Sequence, residues 1–240
     1  MAGGIYSALS GLQSRSTRLD RIAEDIANAG TSGYKGGRQT TMVAEREQFA
    51  AALDSAVDVV VAPARVDFRP GEIATTGRDL DLAVEGPGFF EIETPGGTRY
   101  TRSGHFTRLA DGTLATPDGD AVLAGGNPVT LPAGEVKIGL DGTIRVAGKA
   151  VGRLDLVEFA DSSRLVREDG VRFRAPEDLV AAPASDSAIR SGMLEGSNVS
   201  LPERIVQMTE ISRGFEALQR GISVLMNDID GRAISELGRR

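Results

Sequence analysis

Few side chains in this chain could do covalent or acid–base chemistry: among 240 residues there is one histidine, and there is no cysteine or tryptophan. His105 lies in Gly104-His-Phe-Thr107, and a catalytic role would need a nucleophile or a carboxylate held beside it. No sequence pattern supplies one. Asp79 and Asp81 flank Leu80, and Asp228 and Asp230 flank Ile229. The first pair is expected on the polar face of a strand and the second on a helix surface, both solvated. Gly86-Pro-Gly88-Phe-Phe90 lacks the G-x-G-x-x-G spacing of a phosphate loop and precedes no helical pattern, so it reads as a turn at the entry to a strand. Without cysteine there are no disulfides, zinc–thiolate sites or thiol nucleophiles. The reading is non-enzymatic, with no catalytic, cofactor-binding or metal residue assigned.

Charge and hydropathy narrow the class further. The formal net charge is −7, unevenly placed. Residues 1–40 hold five Lys/Arg against three acids, residues 196–240 hold six of each, and the middle therefore carries about −9. No basic patch stands out, which argues against nucleic acid as a partner. The N-terminus has no basic segment leading into an apolar run, so no standard secretory signal is read there. No stretch approaches the 18 apolar residues of a membrane span, so direct membrane insertion is not expected. Thirty glycines with 5% aromatic residues suit a turn-rich β domain with a modest core.

The elements that could carry a function are therefore the ones to find. Ile5, Leu12, Leu19 and Ile26 recur every seven residues, with Leu9 and Ile22 filling the same stripe, and the pattern stops at the turn-forming run Asn28-Ala-Gly-Thr-Ser-Gly33. At the other end, Ser200 followed by Pro202 and Glu203 marks a helix start. Leu201, Met208, Phe215, Ile222 and Ile229 then repeat every seven residues, with Ile211, Leu218 and Leu225 in the complementary position. That is the spacing of a coiled-coil seam. Two such seams, about 36 Å long at 1.5 Å per residue, suit pairing with each other and with neighbouring copies. Gly11, Ser16, Gly214 and Gly221 thin them.

From Leu80 the period changes to two. Leu80, Leu82 and Val84 alternate with Asp81, Ala83 and Glu85, and four Asp-Gly pairs follow, at 111–112, 118–119, 141–142 and 169–170. Asp-Gly suits the positive φ angles of tight hairpin turns. The expected fold is α+β: a central antiparallel β-rich domain flanked by coiled-coil-type helices at both ends. The expected boundaries are an N-terminal helix and loop over 1–35, an irregular connector over 36–76, the β domain over 77–178, a connector over 179–199 and the C-terminal helix over 200–240.

Four segments, in order, resemble one family. Ile26-Ala-Asn28-Ala-Gly-Thr31-Ser-Gly33-Tyr34-Lys35 is similar to the N-terminal signature of bacterial flagellar rod and hook proteins, with Glu24-Asp25 where that signature usually carries two asparagines. Leu80 to Phe90 and Tyr100-Thr-Arg102-Ser-Gly104-His-Phe106 resemble its central blocks. Ser191-Gly-Met-Leu194-Glu195-Gly-Ser197-Asn198-Val199 resembles the block before its C-terminal helix. Chain length, and the wording of the last block, look most like a proximal-rod subunit, with a distal-rod subunit next.

The resemblance implies an axial subunit of the flagellar basal body. It would be exported without a cleaved signal by the flagellum's own type III apparatus and would sit in the rod spanning the periplasm. Its partners would be copies of itself and other rod proteins, and it would transmit motor torque. The terminal helices would pack in the inner layer, and the loop Asn28, Thr31, Gly33, Tyr34, Lys35 would link the inner helix to the next layer. Two readings of other kinds stand beside this one: a soluble carbohydrate- or protein-binding β module dimerised by its helices, and a hydrolase built on Asp79, Asp81 or His105.

Overall fold

The computed structural model describes residues 2–38 and 65–237, and these fall into two compact units. The helical unit contains α1 (Ala2–Ala27) and α2 (Leu201–Leu237). α1 ends where Asn28-Ala-Gly begins to turn, and α2 starts where the Arg204 amide donates to the Ser200 carbonyl at 3.0 Å, the first bond of the helical ladder. Neither helix is long and apolar enough to cross a membrane.

The β unit spans Asn28–Arg38 and Arg65–Val199. Its largest sheet has eight strands, ordered Val166–Asp169, Arg172–Arg174, Gly97–Thr101, Phe90–Thr94, Ala121–Ala124, Leu114–Ala115 and Thr107–Arg108, with Asn127–Pro128 also pairing onto Ala121–Ala124. A three-stranded sheet joins Val136–Ile138, Thr143–Val146 and Lys149–Arg153. Among the described residues every strand pair is antiparallel. The fold is thus α+β. All four Asp-Gly pairs sit between consecutive paired strands, and each glycine has positive φ.

Two cores hold the unit together, and one dipeptide feeds both. Phe89 and Phe90 are consecutive residues in extended chain, so they point to opposite faces. Phe90 packs with Leu82, Ile92, Phe106 and Leu114 in the larger core. Phe89 packs with Val66, Phe159 and Phe173 in the smaller one. There Phe68 meets Phe89 and Phe173 edge-on, with ring centroids 5.3 and 4.9 Å apart.

The segment 179–199, expected as a connector, instead contributes strands. Ala188–Ser191 pairs with Leu82–Glu85, Met193–Glu195 pairs with Ile73–Thr75, and Ala182–Pro183 pairs with Val157–Glu158. These strands have two to four residues and partners distant in sequence, so local periodicity carries no trace of them. Within 36–76, Gly37–Arg38 pairs with Arg65–Val66, and the strand-like run Val57 to Val61 lies outside the described residues. The strand at 82–85 is also covered on both faces: Leu82, Ala83 and Val84 are all buried.

Asp81 departs from its expected solvated place. It is buried, its Oδ1 lies 2.9 Å from His105 Nδ1, and Arg78 approaches the same oxygen at 3.5 Å. Its carbonyl accepts from the amides of Gly192 and Met193 at 2.8 and 3.2 Å. The carboxylate therefore braces a strand junction. The side chains of Asp228 and Asp230 lie outside those described.

Candidate assembly site

Two segments that are far apart in the chain, 28–36 and 193–199, meet in the β unit. The first is shaped by its turn. The Thr31 amide donates to the Asn28 carbonyl at 3.0 Å, the Thr31 hydroxyl lies 3.2 Å from Asn28 Oδ1, and the Tyr34 amide donates to the Thr31 carbonyl at 3.2 Å. Gly33 has φ +73°, and a Cβ there would run into the backbone of Arg102 and Ser103. Glycine alone meets both demands. The chain then enters the interior, and Tyr34, Lys35 and Gly36 are all buried.

The second segment supplies the partners. The Glu195 carbonyl accepts from the Gly33 amide at 2.7 Å, and its carboxylate Oε1 lies 2.5 Å from Lys35 Nζ and 3.0 Å from the Gly71 amide. Gly71 is packed so closely on Gly196 that any side chain there would strike the Gly196 carbonyl. Lys35 also donates to the Arg69 carbonyl at 3.0 Å. Asn198 closes the other side: its Oδ1 accepts from the Gly36 amide at 2.8 Å, and its Nδ2 donates to the Asp67 and Arg69 carbonyls at 2.7 and 3.0 Å. Ser197 Oγ accepts from the Val199 amide at 3.2 Å, and Leu194 is half-buried on its strand.

The charges are unusual for a protein interior. Lys35 and Glu195 are almost fully buried, and Arg102, also buried, lies 3.7 Å from the second oxygen of Glu195. Two cations thus share one carboxylate. Burial pushes the Lys35 amine down; Glu195 opposes this, and Arg102 reinforces it. Burial likewise pushes the Arg102 guanidinium down, with Glu195 acting against it. The Arg102 guanidinium stacks 4.7 Å over the Phe89 ring, so the cluster is tied into the smaller core. Arg167 lies 4.3 Å over the Tyr34 ring and donates to the Lys35 carbonyl. At the rim, hydrogen bonds from Arg69 hold the Asp67 carboxyl below the usual carboxylate range.

Gly33, Tyr34 and Lys35 are thereby brought together with Glu195 and Asn198, while Asn28 and Thr31 shape the turn before them and Leu194, Ser197 and Val199 flank their partners in sequence. Sequence reasoning missed Arg167 and the Asp67–Arg69 turn. Arg102 stood inside a recognised block without any mark of its role. An arginine just past the end of a strand looks like surface until the fold shows what covers it. The chemistry of the arrangement is mechanical: it ties the segment that follows α1 to the segment that precedes α2.

The helical unit carries the second group of expected residues. In α1, Leu12, Leu19 and Ile26 are half-buried and Ile22 is buried. In α2, Ile211, Phe215 and Leu218 are half-buried, while Leu201 and Met208 are 44% and 39% exposed. At the level of those two residues the half-buried positions are Arg204 and Gln207, so the covered line of α2 runs beside the expected one. The side chains of Ile5, Leu9, Ile222, Leu225 and Ile229 lie outside those described. Gly214, which would thin a seam, serves as a notch here: the Arg15 guanidinium occupies the space where its Cβ would be.

Two family models match parts of this chain. The family described as flagellar hook protein FlgE/F/G D1 domain matches residues 83–146, and flagellar basal body rod FlgEFG protein C-terminal matches residues 190–234. The flagellar basal-body rod protein FlgF of Caulobacter vibrioides is 34% identical, over 100% of this chain and 99% of its own length. The chain belongs to the flagellar basal-body rod protein family. FlgF of Rhizobium meliloti is also 34% identical, over 99% of both chains, and FlgG of Bacillus subtilis is 33% identical over 90% of this chain and 92% of its own. Within the family the chain is most like FlgF. This is a structural family and not an enzyme family.

Proposed function

We propose that this chain is a structural axial subunit of the proximal flagellar rod that polymerises through its terminal helices and transmits motor torque. The observation that carries the reading is an apolar row that is exposed among the described residues. Leu201, Ile205 and Met208 share one face of α2 at i, i+4 and i+7, and they are 44%, 55% and 39% exposed. Val206 at 57% and Val224 at 67% are exposed on the same helix. Side chains of this size gain roughly 1–2 kcal/mol each when covered, and neighbouring subunits in a rod would cover them. The clamp then has a clear task. It ties the chain segment that follows α1 to the segment that precedes α2, so that load passing down one is shared with the other. Partners would be copies of this chain and other rod proteins, with delivery by the flagellar type III export apparatus and a coiled-coil type of packing inside the rod.

Phe215→Asp or Leu218→Asp tests the reading. Each is expected to block rod assembly and motility while the isolated protein keeps its β-sheet circular dichroism. Normal motility in either variant overturns the proposal.

A further inference from the structure

The two helices touch in one antiparallel register, set at specific points. Gly11 faces Leu218, where an added Cβ would sit 3.5 Å from Leu218 Cδ2; Arg15 fills the notch at Gly214; and Asp25 pairs with Arg204 at 3.1 Å. From Arg15 to Asp25 is ten residues forward along α1, and from Gly214 to Arg204 is ten residues back along α2. The Arg15–Gly214 and Asp25–Arg204 contacts are thus about 15 Å apart along the pair. The Asp25–Arg204 pair is largely buried, with side-chain exposures of 7% and 15%. Arg204 is also steadied from its own helix, its Nη1 donating to Gln207 Oε1 at 2.9 Å.

A buried ion pair adds little net stability over a well-packed apolar pair, but removing one partner is costly, because it leaves a charge stranded away from water. A side-by-side helix pair held only by Leu, Ile and Phe can slide by a turn or accept a foreign helix at small cost; one held also by a buried charge pair cannot. We infer that Asp25–Arg204 is the register and partner-selection key of the helix pair. It favours a C-terminal helix that presents a guanidinium one turn from its start, as α2 of this chain does. The inference rests on the reading of the terminal helices as the assembly device.

The test uses the full chain, whose lack of cysteine makes labelling clean. Gly11→Cys with Leu218→Cys places two thiols across the pair for a short bis-maleimide. Asp25→Arg and Arg204→Asp are each expected to lower the cross-linked fraction roughly tenfold or more, and the double reversal is expected to restore it. A companion experiment splits the cysteines between two chains. An Asp25→Arg chain and an Arg204→Asp chain are expected to cross-link to each other in preference to the unaltered chain. Single reversals that cross-link like the parent, a double reversal that stays as low as the singles, or mixed chains that show no preference would each overturn the inference. Circular dichroism of every variant guards against global unfolding. If cross-linking returns in the double reversal while motility does not, the key stands and the rod reading is the one that suffers.

Discussion

Lys35 and Glu195 are 160 residues apart in sequence and 2.5 Å apart in space, and both are buried. With Arg102 beside them, the cluster holds two cations and one anion. The carboxylate is therefore the member that the cluster can least lose.

Glu195→Ala is expected to cost about 3–5 kcal/mol, because it strands Lys35 and Arg102 together and removes the acceptor of the Gly71 amide. Lys35→Met is expected to cost clearly less, since Arg102 remains to face Glu195. Urea unfolding of the two variants beside the parent checks the order. If Lys35→Met were the costlier, the cluster would not be short of negative charge.

Gly33→Ala and Gly30→Ala form a matched pair in one loop. At Gly33 the added methyl meets backbone at positive φ, and the loss is expected to be about 3 kcal/mol or more. At Gly30 nothing lies within 4 Å of the added atom, and the change is expected to stay within about 0.5 kcal/mol. Thermal unfolding reads both. Equal effects would mean that the turn is not held against residues 102–103.

Glu91 gives a pH-dependent case. Burial on its strand, with Asp155 nearby, raises its carboxyl above the ordinary 4.5. A carboxyl raised on folding makes its charged form a cost, present in full above the folded value and gone below the unfolded one. Glu91→Gln is therefore expected to stabilise the protein at pH 7, and the gain should disappear as pH falls below about 4.5. Melting curves of parent and variant across that range decide it; a gain that persists at low pH would point to packing and not to charge.

Much of the architecture follows from local pattern alone. Sevenfold recurrence from Leu12 to Ile26, and again from Leu201 through Phe215, marks helices because 3.6 residues per turn puts those positions on one face. Each Asp-Gly pair marks a hairpin because glycine tolerates positive φ, and each is found between paired strands. The turn after Ala27 and the start of α2 near Ser200 are legible for the same reason: their causes lie within a few residues.

What the tertiary structure decided is what depends on distant partners. Nothing local says that 188–191 and 193–195 are strands, because their ladders are completed by 82–85 and 73–75. Nothing local distinguishes Lys35, Arg102 and Asp81 from the exposed charges around them. Each is polar in sequence and buried in the fold, and its burial is tolerable only because a partner from another part of the chain arrives within hydrogen-bond or ion-pair distance. The order of the signature segments is a property of the sequence. That two of them, one after α1 and one before α2, close into a single buried clamp is a property of the fold, because a buried charge is stable only where packing brings its counter-charge.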